Sequence, residues 1–157
     1  MIQSFQPIIA NKPKILVLGT LPSIKSLEIQ QYYGNPRNSF WKILFTLFEQ
    51  KYSLNYNDKI SLAHKKNIAI WDVCYSASRS GSLDSEIRDV IPNKINEIVV
   101  KHPSIKTIVF NGQKAAKLYS KYIIKIEDIE YLVLLSTSTT NARHNFNQKF
   151  ENWKQIL

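Results

Sequence analysis

Lys14-Ile-Leu-Val-Leu-Gly-Thr-Leu-Pro-Ser23 is the stretch from which the fold reads outward. Its first half is short, apolar and without alternation, as in a strand covered on both faces. Its second half opens a loop that runs to Tyr32-Tyr-Gly-Asn-Pro-Arg-Asn-Ser-Phe-Trp41. Residues 19–38 hold two Pro, two Gly, a Tyr pair, an Arg and two Asn. A loop of that length is uncommon in a compact domain and is usually functional. In an α/β sheet, ligands bind beyond the carboxyl ends of the strands.

Downstream of this loop the pattern alternates. Asn38 or Ser39 caps a helix with Phe40, Ile43, Leu44, Leu47 and Phe48 at helical spacing. A polar turn at 53–57 leads to a short helix over 58–66. A second apolar strand over 67–71 ends in Asp72. Residues 72–84 are rich in Ser and read as a second substantial loop. A helical region follows, interrupted near Pro92, and its second part, 93–101, has Ile95, Ile98 and Val99 on one face. His102-Pro103 stops it. A third strand spans 105–110, Asn111-Gly112 makes a turn, and 113–123 is helical. A fourth strand spans 131–135. The hydroxyl run Ser136-Thr-Ser-Thr-Thr140 and Asn141-Ala-Arg-His144 then precede a last helix with Phe146, Phe150, Trp153 and Leu157 on one face.

Strand and helix alternate four times. The class is α/β: one domain over residues 1–157, with a four-stranded parallel sheet, helices on both faces and right-handed crossovers. The loops at 19–38, 72–84, 111–113 and 136–144 then leave the same edge of the sheet. They gather Arg37, Arg79, Arg143, the Tyr pair, the Asn-rich turns and the hydroxyl run on one rim.

Lys and Arg total 21 against 12 Asp and Glu, a formal charge of +9. That balance favours an anionic partner, nucleic acid first. Three of the four Arg lie in the rim loops, and Arg is the better fork for phosphate. The single Cys74 excludes an internal disulfide and any four-cysteine cluster and fits a reducing compartment. Met1-Ile-Gln-Ser-Phe-Gln-Pro7 lacks the regions of a signal peptide, and no apolar run approaches the length of a membrane span. A cytoplasmic protein with no membrane contact, no metal and no cofactor is expected.

Individual rim residues have two readings each. The run 136–140 ahead of a helix suits a phosphate or serves as a cap. Arg143 pairs with phosphate, enters a duplex, or is solvated. Phe40 is either a floor for a stacked base or core packing. At least one of Tyr32 and Tyr33 is structural. Asn38 orients a water or caps its helix. Asp72 ends a buried strand and needs a partner: a ring N–H of a nucleobase, a backbone cap, or Arg79. No Ser-His-Asp or P-loop spacing is present.

Four segments together resemble the uracil-DNA glycosylase superfamily, in particular its hypoxanthine-DNA (deoxyinosine) glycosylase branch, near the mismatch-specific type. They are Gly19-Thr-Leu-Pro-Ser23 with Tyr32-Tyr-Gly-Asn-Pro-Arg-Asn-Ser-Phe-Trp41, then Ile70-Trp-Asp-Val73 with Gly81-Ser-Leu-Asp-Ser85, then Phe110-Asn-Gly-Gln113, then Leu135-Ser-Thr-Ser-Thr-Thr-Asn-Ala142. They occur in family order and span nearly the whole chain.

The resemblance implies a three-layer α/β/α sandwich and a base flipped into a pocket. In mismatch-specific relatives the catalytic Asn or Asp stands two residues after the first Gly; here that position is Leu21. In the hypoxanthine-type branch the essential Asn lies in the Pro-Arg-Asn segment, which maps onto Asn38. Phe40 maps to the base-stacking aromatic and Asp72 to a base-reading position. Gly19, Thr20, Leu21, Pro22 and Asn111 map to the base pocket. Ser23, Arg37, Ser136, Thr137, Ser138, Asn141 and Arg143 map to the DNA-gripping and duplex-wedging loops. Thr139-Thr140 replaces the Pro-Ala common in the branch, and Leu135 replaces the His of the classical uracil enzymes. The single Cys excludes the iron–sulfur branch.

The expected function is a monofunctional, monomeric DNA glycosylase acting on DNA with a deaminated base, hypoxanthine first and uracil second. The alternatives are a non-catalytic nucleic-acid binder on the same fold and an enzyme acting on free nucleosides or nucleotides.

Overall fold

Ile15, Leu16, Val17 and Leu18 have no polar side chain to offer water, and the strand they form is covered on both faces. The computed structural model describes residues 1–157. β1 is the short strand Ile2–Gln3 and β2 is Ile15–Gly19, in which residues 16–18 are fully buried. α1 (Ile24–Ile29), α2 (Phe40–Leu47), α3 (Tyr56–Lys65) and β3 (Ile68–Asp72) follow. Next come β4 (Cys74–Ser78), a 3-10 turn (Asp84–Glu86) and β5 (Arg88–Pro92). Then α4 (Ile95–Lys101), β6 (Thr107–Asn111), α5 (Gln113–Tyr122), β7 (Glu130–Leu134), α6 (Phe146–Trp153) and a last 3-10 turn (Lys154–Ile156) complete the chain. No helix is long and apolar enough to cross a membrane.

The main sheet has the order β3-β2-β6-β7 and is parallel throughout. The register is unbroken: Gly19 lies opposite Asp72, Leu18 opposite Phe110, and Asn111 opposite Leu134. Gly19, Asp72 and Asn111 therefore end at one rim. The chain leaves β2 toward one side and later crosses back to β6 and β7 on the other. Right-handed crossovers in opposite directions put α1–α3 on one face and α4 and α5 on the other. α6 returns to α2, where Phe40 and Trp153 meet edge to face at 5.7 Å. The result is the three-layer α/β/α sandwich, and the strand order reverses between β2 and β6, the place where such sheets bind ligands.

Two buried tryptophans tie loops to this frame. Trp41 Nε1 donates to the Tyr32 carbonyl and Trp153 Nε1 to the Leu135 carbonyl, each at 2.8 Å. Both rings also fill the core, so each supplies apolar burial and a satisfied polar tip.

The segments between the parallel strands depart from expectation in three places. Residues 72–84 are not one loop, and 85–92 are not helical. β4 and β5 pair antiparallel, and β1 completes a small three-stranded sheet in the order β1-β4-β5. Cys74, Ser76 and Ala77 are buried while Tyr75 is exposed, so packing overrides the turn-like composition. Pro92 is tolerated because it closes an edge strand. The long first loop contains α1, capped by Ser23, whose Oγ accepts from Ser26 N, and closed by Gln30 with φ of 56°. The last helix ends at Trp153 before its 3-10 turn, which leaves Leu157 exposed.

Candidate active site

Gly19 ends β2 where two side chains converge. A Cβ at this position would lie 2.7 Å from Asp72 Oδ1 and 3.1 Å from the Tyr33 hydroxyl. Only glycine lets both close over the strand end. The next residues are anchored by their oxygens: Val73 N donates to Gly19 O at 2.8 Å and Cys74 N to Thr20 O at 3.2 Å. The N–H groups of Thr20 and Leu21 have no acceptor within the protein, although both residues are buried. Pro22 has no N–H to pair.

Asn38 bonds at the start of α2 and leaves one end of its amide open. Its Oδ1 accepts from Phe40 N at 3.0 Å, which starts α2, and its backbone N–H donates to Asn35 O. Because the Phe40 N–H needs an acceptor, the amide orientation is set, and Nδ2 is left without a protein partner. Ser39 N donates to Thr137 O at 3.0 Å and so brings the fourth rim loop beside Asn38.

Asp72 is 3% exposed and its Oδ2 has no hydrogen-bond partner. Burial pushes its carboxyl up to about 7; Asp84 adds to that rise and Arg79 opposes it. The ion pair with Arg79 does not form. Arg79 instead donates through Nη2 to the Pro22 carbonyl and through Nε to the Gly81 carbonyl, each at 2.6 Å. Asp84 was not among the expected site residues, yet it accepts from Thr20 Oγ1 at 2.8 Å. Burial raises its pKa, eased by that hydrogen bond and by Arg79. The signal for Asp84 was its place in the Gly81–Ser85 segment of the family pattern.

The aromatic expected to meet a base lies outside the cleft. Phe40 is fully buried and does not line the cleft; it packs on Trp41 and Trp153 as a core residue. Tyr33 covers it, with ring centroids 4.2 Å apart and planes inclined by 30°, and Tyr33 lines the cleft in its place. Tyr33 holds φ at 52°, a left-handed conformation costly for a bulky residue, and its buried hydroxyl has no partner. Tyr32 is the structural member of the pair: its hydroxyl donates to the Gln6 carbonyl at 2.8 Å.

The hydroxyl run is largely self-satisfied. Asn111 uses both ends of its amide on Thr137: Nδ2 donates to Oγ1 and Oδ1 accepts from the backbone N–H, each at 2.9 Å. Thr137 is fully buried, and the two bonds from Asn111 brace the loop. Ser136 Oγ accepts from Ser138 N, and Ser138 Oγ shares a hydrogen bond with Thr140 Oγ1. Asn141 Nδ2 donates to Ser136 O at 3.0 Å, and its Oδ1 lies 3.2 Å from His144 Nδ1. Lys149, buried beneath the loop, donates to Ser138 O at 3.1 Å. Ser23 is the cap of α1 described above. Arg37 and Arg143 are exposed and their guanidinium groups make no protein hydrogen bond.

One cleft gathers Gly19, Thr20, Leu21, Pro22, Ser23, Tyr33, Asn38, Asp72, Asn111, Ser136, Thr137 and Ser138, with Arg79 and Asp84 at its side. Its enclosed volume is about 70 Å³, room for a few waters. Asn141, Arg143 and Arg37 lie outside it, and Arg143 lines a second groove with Asn141 and His144. No group of three or more His, Cys, Asp or Glu side chains comes together as a metal site.

Comparison with known proteins accounts for this geometry. Residues 7–157 match the sequence profile of the Uracil DNA glycosylase superfamily. A hypoxanthine DNA glycosylase from Methanosarcina barkeri is 34% identical over 142 residues, 90% of this chain and 89% of that protein. One from Methanosarcina acetivorans is 34% identical over 156 residues, 99% of this chain and 97% of that protein. The solution NMR structure of a candidate uracil DNA glycosylase from Methanosarcina acetivorans superposes with a TM-score of 0.85 at 34% identity, covering 99% of this chain and 96% of that one. With its profile, its relatives and its fold in agreement over nearly its full length, the chain belongs to the uracil DNA glycosylase superfamily.

Proposed function

We propose that the protein is a monofunctional, monomeric DNA glycosylase that hydrolyses the N-glycosidic bond of a deaminated nucleotide flipped out of DNA, with hypoxanthine as the leading base and uracil as the second. The observation that carries this reading is the set of unpaired groups in one cleft: the N–H groups of Thr20 and Leu21, Nδ2 of Asn38 and Oδ2 of Asp72. Asp72 Oδ2 is buried without a partner, and the residues carrying the other three open groups line the same cleft, which marks a place for a ligand. The relatives named hypoxanthine DNA glycosylases favour hypoxanthine.

Each group has a part in the reaction. As the glycosidic bond breaks, the base departs with negative charge and the sugar becomes cationic. Fixed N–H donors from Thr20 and Leu21 stabilise the charge on the base. Asn38 holds the attacking water through Nδ2 and the second lone pair of Oδ1. Ionised Asp72 accepts from N1–H of hypoxanthine or N3–H of uracil and favours the cationic sugar. The exposed face of Tyr33 offers the stacking surface. Arg37 and Arg143, free of protein partners, reach phosphates on either side. No lysine lines the cleft, so no Schiff base and no strand cleavage are expected.

The test is release of free base from oligonucleotides carrying a single deoxyinosine or deoxyuridine, paired and unpaired. Release of hypoxanthine that exceeds release of uracil supports the assignment. Salt-dependent DNA binding without release from either substrate would leave the non-catalytic binder, the reading to which Leu21 at the catalytic position of the mismatch-specific type points.

A further inference from the structure

The segment after β4 reaches across the cleft mouth to the loop after β2. Three hydrogen bonds join them. Arg79 Nη2 donates to Pro22 O at 2.6 Å, Thr20 Oγ1 donates to Asp84 Oδ1 at 2.8 Å, and Ile24 N donates to Ser82 Oγ at 3.1 Å. Within the segment, Arg79 Nε also donates to Gly81 O, and Gly81 turns the chain with φ of 89°.

From Thr20 to Pro22, every tie from outside falls on a carbonyl or on the Thr20 hydroxyl. The carbonyls of Gly19, Thr20 and Pro22 and the Thr20 side chain are held, while the two N–H groups are left open. Thr20 and Leu21 both line the cleft, so these open donors are free to meet what enters it.

We propose that Arg79 and Asp84 are positioning residues that clamp the Thr20–Pro22 backbone from across the cleft, so that its two free N–H groups meet the departing base. The proposal rests on the glycosylase reading above and extends it to residues that touch neither base nor sugar.

A purely mechanical tie and this clamp differ in one electrostatic consequence. Asp84 and Arg79 are the charged groups that act on Asp72: the first disfavours its ionised form and the second favours it. The remaining titratable neighbours are the phenols of Tyr32 and Tyr33 and the thiol of Cys74, which stay neutral near pH 7, and Lys114, which acts on Asp84 and Cys74. Asp84→Asn keeps an acceptor for Thr20 and removes the like charge. Asp84→Ala removes both.

The experiment follows the pH dependence of hypoxanthine release under single-turnover conditions for the wild-type chain, Asp84→Asn, Asp84→Ala and Arg79→Lys. DNA affinity, thermal stability and the 1H–15N signals of Thr20 and Leu21 are measured on the same samples. Asp84→Ala is expected to slow release about a hundredfold, with DNA affinity little changed and the two amide signals displaced. Arg79→Lys loses the planar fork and is slowed in the same sense. Asp84→Asn is expected to recover most of the rate, with the acid limb of its profile moved to lower pH. Variants that melt earlier but release base at the wild-type rate, with an unmoved acid limb, would overturn the proposal. If the wild type itself releases no base, the glycosylase reading fails, and the amide signals decide the clamp alone. Displaced Thr20 and Leu21 signals in Asp84→Ala support it, and unchanged signals overturn it.

Discussion

In the loop after β2 the N–H groups of Thr20 and Leu21 are unpaired, and beside them stand Asn38 Nδ2 and Asp72 Oδ2, also unpaired. In the loop after β7 the Ser136, Thr137 and Ser138 hydroxyls, the Asn141 amide and the Lys149 ammonium all bond within the protein. The two loops border the same cleft, and Ser39 N–H to Thr137 O links them directly. The second is the richer in hydroxyls, yet it spends them on its own shape. The first also bonds its hydroxyls and carbonyls within the protein, yet leaves two backbone donors open. Polar composition therefore does not show which atoms are free to meet a ligand; the donors and acceptors that the fold leaves unpaired do.

The largest test of this contrast is Gly19→Ala. The added Cβ falls 2.7 Å from a buried carboxylate oxygen, so Asp72 and Tyr33 must move apart. Base release is expected to fall about a hundredfold or more, since displacement of about 1 Å at a reacting centre has that effect. The matching change in the hydroxyl loop, Ser138→Ala, is expected to change the release rate only a few-fold. Rates for the two variants under identical conditions sharpen or break the comparison.

Asp72→Asn separates function from stability. The folded carboxyl sits at about 7 against an ordinary 3.8, so the native state holds a proton that the unfolded chain has lost. Stability therefore falls as pH rises from about 4 to 7, and the full penalty stands above 7. The neutral amide escapes it, so the variant is expected to be more stable than wild type at pH 8, by on the order of 1–3 kcal/mol, and the gain shrinks toward pH 5. Chemical denaturation at both values measures it. Release by the wild type is expected to drop as pH falls below about 7, where Asp72 takes up its proton, and Asp72→Asn loses that limb with most of its rate.

The smallest effects belong to the exposed arginines. Arg37→Ala and Arg143→Ala are each expected to lower the slope of log affinity against log salt by about 0.9, the share of one phosphate, with the rate at saturating DNA nearly unchanged. Titrations at several salt concentrations read it.

Much of this was legible in the chain. Apolar runs without alternation marked the four parallel strands, three of them buried, and their order placed Gly19, Asp72, Asn111 and the hydroxyl run on one rim. β4 was hidden because Ser76 and Ser78 alternate with Tyr75 and Ala77 in a stretch whose composition reads as turn. α1 has only six residues, too few for a periodic signal. Phe40 fitted both a helix stripe and a stacking floor; only the ring of Tyr33 lying on it decides for the core. Asp84 reaches Thr20 from 64 positions away, a pairing that no local pattern encodes. The largest gap is the pairing state of polar atoms. It depends on which partners the fold brings within 3 Å, and residue types alone do not carry it.

The central claim is that the unpaired groups of the cleft do the chemistry. Single-turnover release of hypoxanthine by Asn38→Ala and by wild type, at saturating enzyme, tests it most directly. The account predicts a loss of at least about a hundredfold in the variant, with DNA binding intact and stability lowered by about 1 kcal/mol for the lost helix-start hydrogen bond. Release by Asn38→Ala at a rate close to wild type would contradict it.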